Sequence, residues 1–193
     1  MDAEVIDSRS GERGTTVLEV LIASALLVTL MAGLMSMAGL AISTTENQGH
    51  LAARTTEYAQ DKVEQLMALA YGDGVSDTRV FPAATSGGKG LAAGGSSNAD
   101  APVEFYVDYL DQRGNLCGSA SADCTAPSGT TAPARWFYKR AWQVEDISPA
   151  WCNGGTLPTS CLKRITVTAT IARGFGGATK ASSTLTVLKT IPF

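Results

Sequence analysis

The sequence predicts an α+β chain: one long amino-terminal helix, half membrane-spanning and half amphipathic, packed on a roughly four-stranded antiparallel sheet. Three observations predict it. Residues Gly14 to Ile42 form an almost unbroken apolar run. Apolar positions then recur every three or four residues as far as Ala70, and from Val103 onward short segments alternate apolar with polar side chains. The first period is that of a helix with one buried face, the second that of a strand with one. A helix that precedes a series of strands buries its stripe against their sheet.

The apolar run, GTTVLEVLIASALLVTLMAGLMSMAGLAI, exceeds the roughly 20 residues that span hydrocarbon. Its one charge is Glu19. A carboxylate at that depth costs roughly 2.5–3.5 kcal/mol, which makes Glu19 a candidate functional residue; the plainer reading is an acid snorkelling at the membrane edge. The leader before the run is polar and carries Arg9 and Arg13 near its end, which orients the leader to the cytoplasm and the rest outward. Ser43-Thr44-Thr45-Glu46 after the run offers no signal-peptidase site, so the helix is expected to be retained.

Beyond the run, Leu51, Thr55, Ala59, Val63, Leu66 and Ala70 form the stripe. Arg54, Glu57, Asp61, Lys62 and Glu64 fall mostly off it, and the spacings of Arg54 with Glu57 and Asp61 with Gln65 support a helix locally. Gly72-Asp73-Gly74 is the stop. A helix from Thr15 to Tyr71 would be roughly 85 Å long, with Gly33, Gly39 and Gly49 as weak points. The Gly-, Ala- and Ser-rich stretch from Gly72 to Pro102 reads as a surface loop. Val103–Leu110 reads as a half-buried strand, with Val103, Phe105, Val107 and Tyr109 facing away from Glu104, Tyr106 and Asp108. Trp136–Val144, Leu162–Ala172 and Ser182–Lys189 complete the sheet; Ile165, Val167, Ala169 and Ile171 share one face, as do Leu185 and Val187.

Cys117, Cys124, Cys152 and Cys161 all follow the membrane segment. Their C-x₆-C and C-x₈-C spacings, without nearby histidine, fit disulfides in an oxidising compartment better than a zinc site. Four cysteines allow three pairings, of which the local one, 117–124 with 152–161, is favoured. The net charge of −3 argues against nucleic acid as a partner. The string R135-W-F-Y-K-R-A-W is therefore read as a strand with an aromatic core face and its basic residues in water, not as a stacking platform. His50 is the single histidine, so a catalytic triad or histidine metal site has nothing to draw on. Gly87-Gly88-Lys89-Gly90 lacks the strand–helix frame of a phosphate loop, and no cofactor or metal is expected.

The start of the run, G|TTVLEVLIASALLVTLMAGL, resembles the class III signal of type IV pilins and pseudopilins: a short leader ending in glycine, then an apolar helix with an acid five residues after that glycine. The resemblance implies cleavage after Gly14 by a membrane-embedded prepilin peptidase and N-methylation of Thr15, where the family usually has Phe. The new Thr15 amine would lie one helical turn from Glu19, and Glu19 would neutralise it or that of an adjacent subunit during assembly. TTEYAQDKVEQLMALAYGDG is similar to the helix end of PilV-like minor pilins, and RWFYKRAWQVED with LKRITVTATIA looks like their sheet.

What this resemblance implies is a pilin-like fold divided into a leader (1–14), a transmembrane and assembly half-helix (15–42), an amphipathic half-helix (43–71) and a periplasmic or extracellular domain (72–193). The implied protein is a non-enzymatic minor pilin that primes pilus assembly or tunes adhesion. Its implied partners are the prepilin peptidase, major and other minor pilins, the inner-membrane assembly platform and, before assembly, inner-membrane lipid. The alternative is a minor pseudopilin of type II secretion. A membrane-anchored enzyme or DNA-uptake receptor would need a polar cleft in the C-terminal domain, which the sequence does not display, and a DNA-binding version would show affinity that falls steeply with salt.

Overall fold

The computed structural model describes residues 16–80, 87–147, 161–172 and 180–191. Two compact units emerge, Met1–Ser43 and Thr44–Phe193. A single helix, α1 (Val17–Ala68, 52 residues), contributes to both. It passes through Gly33, Gly39 and Gly49 without interruption. An isolated glycine costs a helix only about 1 kcal/mol, which neighbouring turns of Leu, Ala and Met absorb.

α1 ends at Ala68, ahead of the expected Tyr71, and its closure comes from outside the helix. No basic side chain lies in the last turn. Instead Lys189, on the last strand, turns inward and donates Nζ hydrogen bonds to the carbonyls of Met67 (2.7 Å) and Leu69. These are carbonyls the helix leaves without partners, and a cation suits the negative end of its dipole.

The second unit holds an antiparallel sheet of β1 (Gly94–Gly95), β2 (Val107–Leu110), β3 (Tyr138–Ile147), β4 (Leu162–Ile171) and β5 (Ser182–Thr190). β3, β4 and β5 pair in that order, and the other edge of β3 takes both β1 and β2. The register sets Val107 opposite Ala141, Arg140 opposite Ala169, and Ala169 opposite Ser183. Tyr138, Trp142 and Val144 therefore share a face with Ile165, Val167, Ala169 and Ile171, and all join Tyr58, Ala59, Val63 and Leu66 of α1 in one core. Each large apolar side chain buried there contributes roughly 1.5–3 kcal/mol. The opposite face carries hydroxyl pairs across strands, Thr166 with Thr186 (3.2 Å) and Thr168 with Thr184 (2.9 Å), as suits a sheet with one polar side.

Several expectations need correction. The Gly-rich loop contributes β1, so the described residues form five strands and not four. The strand expected at Val103–Leu110 begins only at Val107, because Val103–Tyr106 is a turn closed by the Tyr106 amide on the Val103 carbonyl (3.0 Å). Phe105 has φ 68° in that turn and lies under the Arg79 guanidinium, 4.6 Å from the ring centroid. β2 is buried on both faces, not one. Tyr106 and Leu110 join the main core, whereas Val107 and Tyr109 pack in a second cluster with Cys117 and Cys124. Just past the end of α1, Leu69 is buried in place of Ala70, and on α1 itself Lys62 is wholly buried. Arg140, expected in water, is buried as well.

Cys117 and Cys124 form the expected local disulfide. The pairing of Cys161 with Cys152 cannot be followed, since Cys152 lies outside the described residues. The first bridge closes the loop that covers Val107 and Tyr109. Replacing both Cys117 and Cys124 with serine is expected to cost about 2–3 kcal/mol from unfolded-chain entropy over so short a loop, read as a lower urea midpoint. Asp111 anchors the same loop, accepting from the amides of Arg113 (2.8 Å), Asn115 (2.9 Å) and Asp123 (3.2 Å) and from Asn115 Nδ2 (3.0 Å).

Burial alone would raise the Asp111 carboxyl, but these donors hold it below its ordinary 3.8. A depressed acid stabilises the fold fully above its unfolded value and ceases to as pH falls through the folded one. Acid titration of the Asn115 and Asp123 amide resonances should therefore show this loop loosening only below pH 3.8, and Asp111→Ala should abolish that transition.

Candidate functional site: an unpartnered apolar helix carrying one acid

Every residue of α1 from Val17 to Ser43 is exposed. Val17, Leu18, Leu34, Met35 and Met37 each leave two thirds or more of their surface open. The best 18-residue window of α1 has a mean hydropathy of 2.3, and among the described residues α1 is the one helix long and apolar enough to cross a membrane. Its hydroxyls close on the helix itself: Ser24 on Leu21 (2.9 Å), Thr29 on Leu26 (2.9 Å) and Ser43 on Leu40 (3.0 Å). Bonded this way, they ask nothing of an apolar environment.

Glu19 occupies the first turn. The backbone explains part of its presence. Thr16 caps the helix: the Glu19 amide donates to the Thr16 carbonyl (2.9 Å) and more weakly to its Oγ1 (3.3 Å). Thr16-Val17-Leu18-Glu19 is thus a T-x-x-E capping sequence, a signal legible in the chain beside the apolar run. A carboxylate at this end also faces the positive pole of the helix dipole. The proposed partners of Glu19 in processing, Gly14 and Thr15, lie outside the described residues.

The remaining candidates are dispersed. His50 is an exposed helix residue, and no group of three metal-ligating side chains occurs among the described residues. The rings of the aromatic-basic string are engaged within the second unit. Trp136 stands edge-on to Tyr109 (5.5 Å), Tyr138 edge-on to Tyr58 (4.7 Å), and Trp142 is fully buried. They do not form an open row on which bases could stack.

What sequence reasoning missed is a charge cluster inside the second unit. Lys62 of α1 meets Asp108 of β2 (2.5 Å), which also accepts from Arg140 of β3 (2.8 Å), and Arg140 reaches back to Asp61 (2.5 Å). The spacing of Asp61 and Lys62 on the helix edge gave no sign that one of them turns inward. Compared with protein-family models, curated proteins and solved structures, the chain matches none.

Proposed function

We propose that this chain is a minor type IV pilin of the PilV-like kind, a structural subunit and not an enzyme, made as a precursor whose leader ends at Gly14. The observation that carries the reading is the bare apolar half of α1 with Glu19 as its single charge, continuous with a helical half that packs on a sheet. Such a helix holds the subunit in the inner membrane, with the second unit on the periplasmic side. It later leaves lipid for the helical interior of a filament, at or near the tip, where the outward domain primes assembly or tunes adhesion.

Moving between two apolar surroundings changes little hydrophobic energy, since lipid tails are as apolar as leucine. Register must then come from the polar exception. A Glu19 carboxylate paired with a Thr15 amine, its own or a neighbour's, gains far more in low dielectric than it would in water. Before cleavage that amine does not exist, so the leader keeps the subunit out of the filament.

The test is intact mass and amino-terminal sequencing of protein extracted from membranes with and without an active prepilin peptidase. A peptidase-dependent start at methylated Thr15 is expected. A chain still beginning at Met1 beside active peptidase overturns the proposal.

A further inference from the structure

The charge cluster in the second unit has an unusual polar balance. The side chains of Lys62 and Asp108 are both wholly buried, with Nζ 2.5 Å from Oδ2. The same Nζ donates to the Thr78 carbonyl and lies 4.4 Å from the centre of the Trp142 ring. Arg140 Nη2 sits 2.8 Å from that Oδ2, while its Nη1 is held by Asp61. Among the described residues, four buried side-chain polar atoms are left without hydrogen-bond partners, and each belongs to a residue touching this cluster: Asp108 Oδ1, Thr78 Oγ1, Arg140 Nε and Trp142 Nε1. A buried ion pair repays its desolvation only when its other lone pairs and protons are satisfied, and here they are not.

We propose that Lys62 and Asp108 condense into an intramolecular isopeptide bond, tying α1 covalently to β2. The step balances without any outside reagent. One Nζ proton passes to Oδ2 across the 2.5 Å contact, giving a free amine and a neutral acid. The Nζ lone pair attacks Cγ, a second Nζ proton joins the Oδ2 hydroxyl, and the Cγ–Oδ2 bond breaks to release water. Arg140, on Oδ2, assists that departure, and paired with Asp61 it leaves the site neutral.

The product removes the buried charges of Lys62 and Asp108, and Arg140 keeps Asp61 as its counter-charge once Oδ2 has left. The amide keeps one N–H for the Thr78 carbonyl, and Oδ1 becomes an uncharged carbonyl, which is less costly to bury than a carboxylate. Burial takes Lys62 down to about 8 against the pull of Asp108, so more free amine is present at neutral pH than an ordinary lysine offers. The two reacting groups are held in place by the packing of α1 on the sheet, which replaces a bimolecular encounter with a fixed one.

The test uses the full chain, extracted in detergent and digested with trypsin. The expected product is Thr55–Arg79 joined to Gly90–Arg113, uncut after Lys62 and lighter than the two peptides by one water. Lys62→Arg should release unlinked Gly90–Arg113. Complete cleavage after Lys62 in the parent chain, with Gly90–Arg113 recovered at its full mass, overturns the proposal. Because the parent chain decides the outcome, a variant that fails to fold does not cloud it. The result is also independent of whether the chain enters a filament.

Discussion

Glu19→Gln is expected to insert and be processed like the parent chain, yet to enter filaments about a hundredfold less. The estimate follows from the roughly 2.5–3.5 kcal/mol that an unpaired charge costs in hydrocarbon, since every 1.4 kcal/mol is a factor of ten. Glutamine is the informative substitution because it serves at the third position of a capping sequence as glutamate does. It leaves the Thr16 cap and its bonds to the Glu19 amide intact while removing only the charge. Glu19→Ala removes both. The measurement is the ratio of variant to parent subunit in sheared filaments, at equal membrane abundance and equal cleavage. If Glu19→Gln assembles like the parent while Glu19→Ala does not, the acid is a helix cap and its proposed role in register is wrong.

Asp108→Ala should cost the second unit about 3–5 kcal/mol through the stranded cations alone, with loss of the proposed cross-link adding to it. The side chain is fully buried and stands between two cations, Lys62 and Arg140. Without it they face one another with only the half-exposed Asp61 nearby. Adding Lys62→Met to Asp108→Ala removes one stranded charge while keeping an apolar stem beneath Trp142, and should recover about 1–2 kcal/mol. Neither variant can form the proposed cross-link, so their difference reports the unpaired charge alone. Urea unfolding of the detergent-solubilised chain, followed by tryptophan fluorescence, measures both. A double variant no more stable than the single one would mean that the cluster is not governed by charge.

Much of the architecture was legible because it is written in short periods. The stripe through Ala59, Val63 and Leu66 packs in the core against the sheet, and Thr55 on the same stripe is buried with its hydroxyl on Ser183 of β5. The inward sets of β4 and β5, Ile165 to Ile171 and Leu185 with Val187, follow from simple alternation. The Cys117–Cys124 bridge is the local member of the three pairings that four cysteines allow, the one favoured from the sequence. β2 was misread for a physical reason: alternation reveals one buried face, but a strand covered by α1 on one side and a cystine loop on the other has none to expose. Phe105 fits that pattern only by coincidence, since its ring packs beneath Arg79 in a turn, a role with no period at all.

By itself, then, the sequence determined the order of the helix and the long strands, the apolar helix with its solitary acid, and which apolar side chains of β4 and β5 turn inward. All are local: each depends on what stands two, three or four residues away. The tertiary structure alone decided which charges are interred and what they meet. Lys62 finds Asp108, Arg140 closes the cluster, and Lys189 caps a helix that carries no basic residue in its last turn. A charged side chain gives no local sign of burial, because burial is tolerable only once a counter-charge or a set of carbonyls arrives from a distant element, and that meeting is made by packing.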